Sequence, residues 1–153
     1  MVDKEIKNII ENSRKAGWVM DPDAKRIFSI AGLEVPLYTL AESSGDAVSF
    51  AEQTGFPVVA KVVSPEVIHK TDVSGVEVGI ETSEKLEEAF ARFSGINGFT
   101  GMLVEQMIEG TELIVGAKTD SQFGPVVLIG MGGVGVEIYQ DSSIRMAPLK
   151  SDS

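Results

Sequence analysis

The sequence predicts an α+β protein built as two lobes. Up to about residue 94, stretches with helical apolar spacing alternate with stretches of strand-like alternation. From residue 101 onward, every patterned stretch reads as strand, separated by turn residues. Between these regimes lies SGINGFTG (94–101), a joining loop by composition. A hinge is expected at 100–108. It divides the chain into an N-terminal lobe with leading helices, residues 1–104, and a C-terminal lobe, residues 105–153.

Ile6, Ile9 and Ile10 form one short helical face. Asp21-Pro22 reads as N-cap and first residue of a second helix. Ala24, Ile27, Phe28 and Ala31 line its inner face, and Gly32 ends it. Glu34–Leu40 reads as extended, with Pro36 favouring an edge position. A third helix spans Gly45–Thr54, with Ala47, Phe50 and Ala51 inward and Gly55 as its stop. Strand Val58–Val63 follows, then a loop over 64–74, then strand Val76–Ile80. There Val76, Val78 and Ile80 alternate with Glu77 and Gly79. A fourth helix, Glu84–Phe93, places Leu86, Ala89, Phe90 and Phe93 on one face. Met102–Ile108, Glu112–Lys118, Val126–Ile129 and Val134–Tyr139 read as strands. Their turns are Glu109-Gly110, Asp120–Pro125 and the glycines of 130–135. The chain stops at LKSDS with no closing helix, so the second lobe is expected to be incomplete.

With 153 residues the chain is long enough for a real core. It has no cysteine, which excludes disulfides, thiolate metal sites and thiol catalysis and is compatible with a reducing cytoplasm. MVDKEIKN lacks the apolar core of a signal peptide, and the longest uncharged run, Phe123–Val136, is too short for a bilayer. A cytoplasmic protein without membrane contact is expected. A net charge of −10 argues against nucleic acid as a partner. Any anionic ligand must be met by local cations, a metal or backbone N–H groups.

GFPVVAKVVSPEVIHKTDVSGVEVGI (55–80) concentrates the candidate chemistry. Lys61 sits within an apolar strand, its neighbours Ala60 and Val62 sharing the opposite face. It is either a solvent-facing strand residue or a point charge for a phosphate. His69 is the sole histidine. It is either a loop residue bonded to Asp72 or solvent, or a nucleophile whose free nitrogen attacks phosphorus while Asp72 holds the other nitrogen. The Ser74-Gly75 tip suits an anion-holding loop. In VEQMIEGTELIV, Glu105 and Glu112 are either solvated edge charges or a ligand pair. In the second case Glu105 and the Met107 backbone read an adenine edge, and Glu112 accepts from ribose hydroxyls. GMGGVG (130–135) matches a dinucleotide pattern, but VEIYQDSSIRM after it alternates like a strand, not a helix. No G-x-S-x-G and no Walker A motif occurs.

Together, GFPVVAKVVSPEVIHKTDVSGVEVGI, LVEQMIEGTELIVGAKTDSQFGPVVLIGMGG and VEIYQDSSIRMAPL resemble the ATP-grasp domain of NDP-forming acyl-CoA synthetases. This is the β-subunit type of ADP-forming acetyl-CoA synthetase, related to succinyl-CoA synthetase, and the resemblance runs from about residue 20 to 149. It implies two α/β lobes enclosing a nucleotide cleft. By matching position, Lys61 holds nucleotide phosphates, and Ser74 and Gly75 lie in a loop covering them. Glu105 and Met107 form the adenine-reading hinge, and Glu112 binds ribose. His69 relays a phosphoryl group between a phosphohistidine and nucleotide. The implied reaction converts acyl-CoA, ADP and phosphate to acid, CoA and ATP. It uses ATP/ADP, Mg²⁺ and a CoA-binding α subunit or domain as partner. Glu137 is the candidate metal ligand within the chain. The same domain also occurs fused to acetyltransferases, so a module of a protein acetyltransferase or a non-catalytic nucleotide-binding regulatory domain is the alternative.

Overall fold

In the computed structural model, which describes residues 3–133 and 142–149, the chain divides into two units, Met1–Ile108 and Glu109–Ser153. The first unit runs α1 (Lys4–Ser13), α2 (Asp21–Ile30), β1 (Tyr38–Ala41), α3 (Ser44–Thr54), β2 (Val58–Val63), a 3-10 turn (Lys70–Val73), β3 (Val76–Ile80), α4 (Ser83–Ser94) and β4 (Gly101–Gln106). Its sheet is antiparallel in the order β1-β4-β2-β3, which leaves β1, the strand after Pro36, at an edge.

Local sequence sets the two packed helices. Ser43 and Asp46 form a reciprocal capping box at the start of α3. Thr82 Oγ1 accepts from Lys85 N at the start of α4. Ala47 and Ala51 of α3 and Leu86, Ala89 and Phe93 of α4 are buried against Val58, Ala60, Val62, Met102 and Val104 of the sheet. Each larger side chain buried there contributes about 1.5–3 kcal/mol. Phe90, on the rim, meets Phe99 edge-on at 5.6 Å.

The strand Val76–Ile80 departs from the alternation expected of it. Val58 pairs with Ile80 but Ala60 pairs with Glu77, so one extra β3 residue is accommodated between them. The bulge, with Gly79 at φ +74°, reverses the facing of the strand. Ile80 and Glu77 turn toward the helices, where Glu77 pairs with Arg92 of α4, and Val78 is exposed. Helix α2 also departs from expectation. Met20, not Asp21, occupies the N-cap, no residue of the helix is fully buried, and Phe28 and Ala31 of its predicted inner face are exposed. What α2 turns toward the sheet is a lysine, described below.

The second unit contains, among the described residues, β5 (Leu113–Asp120), β6 (Gly124–Met131) and β7 (Ser142–Met146), antiparallel in that order. An antiparallel sheet around GMGG is unlike the parallel sheet of a dinucleotide-binding fold. Asp120 Oδ1 accepts from the backbone N–H groups of Gln122 and Phe123 and so closes the β5–β6 turn. Val126 is the only buried residue among those described in this unit. The expected strand Val134–Tyr139 lies outside the described residues. No helix among the described residues is long and apolar enough to cross a membrane.

Candidate functional site

Register places Glu105 of β4 between Tyr38 of β1 and Val59 of β2. Lys61 lies two residues along β2, on the same face and away from the packed helices. A diagonal of that kind is within reach of long side chains. Lys61 Nζ is 2.5 Å from Glu105 Oε1. The other oxygen, Oε2, is 2.5 Å from Nζ of Lys25, reaching in from α2. The Lys25 ammonium also lies over the Tyr38 ring at 5.6 Å. The Glu105 side chain is 8% exposed, Lys25 16% and Lys61 29%. Burial pushes the Glu105 carboxyl up, but hydrogen bonding and charge from Lys25 and Lys61 outweigh it and hold the group below the usual carboxylate range.

The loop after β2 is pinned at both ends. Buried Ser64 donates to the Asn97 carbonyl at 2.8 Å and accepts from Glu66 N. At the far end, Gly75 N donates to Lys70 O at 2.7 Å, and Val62 N donates to Gly75 O at 2.8 Å. Gly75 presses so closely on β2 that a Cβ there would lie 2.4 Å from Val62 Cγ1. Ser74 N donates to Thr71 O, so the N–H groups of Ser74 and Gly75 are both used inside the loop. Ser74, in the left-handed region, keeps an exposed hydroxyl. His69 is exposed and begins the 3-10 turn. Its link to Asp72 runs through the backbone, Asp72 N to His69 O at 3.2 Å, instead of the expected carboxylate–imidazole contact. Lys70 folds inward: its ammonium lies 5.1 Å from the Trp18 ring centroid and 3.3 Å from Asp21, which ties this loop to the α1–α2 connection.

Met107 follows β4 and is half-buried. Glu112 belongs to the second unit and is exposed; its carbonyl accepts from Gly132 N at 2.8 Å. A side chain at Gly133 would meet the Glu112 carboxylate at 2.8 Å, so the GMGG turn packs directly on Glu112. Glu137 lies outside the described residues. Among the described residues, no three His, Cys, Asp or Glu side chains cluster to hold a metal ion.

The structure therefore brings Lys61 and Glu105 into contact, adds Lys25 to them, and turns Lys70 to Trp18 and Asp21; neither of these two lysines stands out in the sequence. Lys25 sits i+4 from Asp21, a spacing that marks a charged stripe on α2. Lys70 carried no signal beyond its position next to His69.

The sequence model of the ATP-grasp domain family matches residues 11–153. The chain belongs to the ATP-grasp family. Its form is that of the ADP-forming acyl-CoA synthetases, as the resemblance implied. This ATP-grasp chain is 37% identical over 155 residues to the β subunit of acetate–CoA ligase (ADP-forming) I of Pyrococcus furiosus, covering 95% of this chain and 67% of that subunit. It is 39% identical over 154 residues to acetate–CoA ligase (ADP-forming) I of Archaeoglobus fulgidus, covering 95% of this chain and 22% of that protein. Among solved structures it is similar to the dinucleotide-forming acetyl-coenzyme A synthetase 1 of Ca. Korarchaeum cryptofilum. That complex holds coenzyme A and Mg-AMPPCP, with its phosphohistidine segment pointing towards the nucleotide binding site. The TM-score is 0.73 at 36% identity, covering 95% of this chain and 65% of that one. The α+β ATP-grasp fold and the ligase family are thereby established, and the chain spans about two thirds of the subunit-sized relatives.

Proposed function

We propose that this chain is the nucleotide-binding portion of an ADP-forming acyl-CoA ligase, passing a phosphoryl group between a phosphohistidine and ATP/ADP. The observation that carries the reading is the Lys25–Glu105–Lys61 cluster. One carboxylate between two ammoniums leaves one positive charge in a partly desolvated place, in a chain whose net charge is −10. Lys61, the more exposed lysine, is where an incoming phosphate meets that charge.

In this reading each predicted residue has its own task. Lys61 neutralises phosphate oxygens, and the Ser74 hydroxyl donates to them from the loop that Gly75 seats. Glu105, with the Met107 backbone, lies beside the purine edge, and Glu112 accepts from the ribose. His69 attacks the phosphorus of a phosphohistidine on a CoA-binding partner. One P–N bond forms as the other breaks, and the group then passes to the β-phosphate of ADP. Mg²⁺, when bound, would supply charge neutralisation at the nucleotide phosphates. Glu137 is a candidate ligand for it. The β-subunit relatives and the Mg-AMPPCP complex support a CoA-binding partner and Mg²⁺. A cytoplasmic location accords with the absence of cysteine.

The test combines the chain with a CoA-binding partner carrying ³²P-phosphohistidine, then adds ADP. Wild type is expected to yield labelled ATP, and His69→Ala is expected to lose at least about 100-fold in transfer rate. Equal transfer by both would remove His69 from the relay. Stoichiometric Mg-ATP binding without transfer would identify a non-catalytic nucleotide module instead.

A further inference from the structure

Lys25 occupies one of the two Glu105 oxygens while Lys61 occupies the other, and this division has a consequence for anion binding. Were Lys61 the sole partner of Glu105, the pair would be neutral. A phosphate would then have to compete with a carboxylate for the only cation, and success would strand a buried negative charge. Leaving such a charge unpaired is strongly unfavourable. With Lys25 on Oε2, Glu105 keeps a cation after Lys61 turns to a phosphate. Lys25 suits a fixed role: its side chain is 16% exposed against 29% for Lys61, and it rests over the Tyr38 ring at 5.6 Å. Tyr38 is itself the register partner of Glu105 and its hydroxyl reaches the Pro22 carbonyl of α2 at 3.5 Å, so helix, ring and carboxylate hold one arrangement.

We propose that Lys25 is a positioning residue for the phosphate site at Lys61, holding the Glu105 carboxylate so that Lys61 is free to bind a nucleotide polyphosphate. Lys25 acts through Glu105 and does not touch the ligand. The inference rests on the nucleotide reading above.

The experiment titrates the full chain with Mg-ATP and, separately, with adenosine. It uses wild type, Lys25→Met, Lys25→Arg, Glu105→Gln and the Lys25→Met/Glu105→Gln double variant, with circular dichroism establishing that each is folded. Lys25→Met is expected to weaken Mg-ATP binding about tenfold, the scale of one charge-assisted contact. Adenosine affinity, which has no phosphate for Lys61 to hold and only the Glu105 contact at the purine edge to lose, is expected to fall less than Mg-ATP affinity, and Lys25→Arg, which keeps the charge, to recover most of the loss. In the Glu105→Gln background the added Lys25→Met change is expected to cost less than about twofold, because the carboxylate it must hold is gone. Lys25→Gln, which keeps a donor for Oε2, replaces Lys25→Met should that variant unfold, with the same direction expected. Unchanged Mg-ATP affinity in a folded Lys25 variant overturns the inference. So does an equal loss in both backgrounds, which would make Lys25 a direct phosphate ligand. A wild type that binds no Mg-ATP overturns the nucleotide reading itself, and the inference with it.

Discussion

Glu105→Gln tests the charge cluster as a structural element. The substitution keeps size but removes the one negative charge between Lys25 and Lys61 and replaces one of the two acceptor oxygens with an amide NH2, which cannot accept from an ammonium. Removing one partner of a buried ion pair costs about 3–5 kcal/mol. Glu105 is 8% exposed, but Lys61 at 29% retains some hydration, so the lower end applies, about 3 kcal/mol. For a unit of this size that lowers Tm by roughly 12–24 °C at neutral pH. Thermal unfolding followed by circular dichroism reads it directly. The pH dependence has a definite sign. The folded carboxyl is held below the ordinary glutamate value of 4.5, so its stabilisation is fully present above that value and is lost as pH falls through the folded value. The wild-type advantage over Glu105→Gln is therefore expected to be flat from pH 7 to about 5 and to shrink only at lower pH. A variant melting within about 2 °C of wild type, or an advantage already gone at pH 6, would refute a buried, doubly paired carboxylate.

Gly75→Ala places a methyl 2.4 Å from Val62 Cγ1, in a fully buried, stiff side chain, and is expected to cost about 1–3 kcal/mol. Urea unfolding should show that cost reduced when Val62→Ala makes room; an undiminished cost would mean that the loop does not seat on β2. Lys70→Met removes the ammonium from the Trp18 ring and from Asp21 and is expected to cost about 1 kcal/mol. Trp18 is the only tryptophan, so the emission spectrum reports its surroundings, and a spectrum identical to wild type would show that the contact is not formed.

What could be read in the sequence followed local rules. The spans of α3 and α4 and the Leu86–Ala89–Phe93 face are set by neighbours three or four residues away, and they appear within a residue of where the spacing puts them. Lys61 opposite the Ala60–Val62 face likewise follows from the two-residue period of a strand. The misreadings have non-local causes. The bulge in β3 is set by pairing with β2, and no alternation count within Val76–Ile80 reveals it. The spacing in helix α2 predicts an apolar face through Phe28 and Ala31, but its contact with the sheet is the Lys25 ammonium on a carboxylate far along the chain. The same holds for Lys70 on Trp18. Charged contacts between distant segments carry no periodic signature, which is why half of the candidate site is visible only in the folded chain.

The central claim, that Lys61 is a phosphate-binding lysine of a nucleotide site, is tested most directly by calorimetric titration of the full chain with Mg-ATP. The account predicts saturable binding at one nucleotide per chain, at least about tenfold weaker in Lys61→Met and unchanged in His69→Ala. Equal affinity of wild type and Lys61→Met, or no binding heat from wild type, would contradict it.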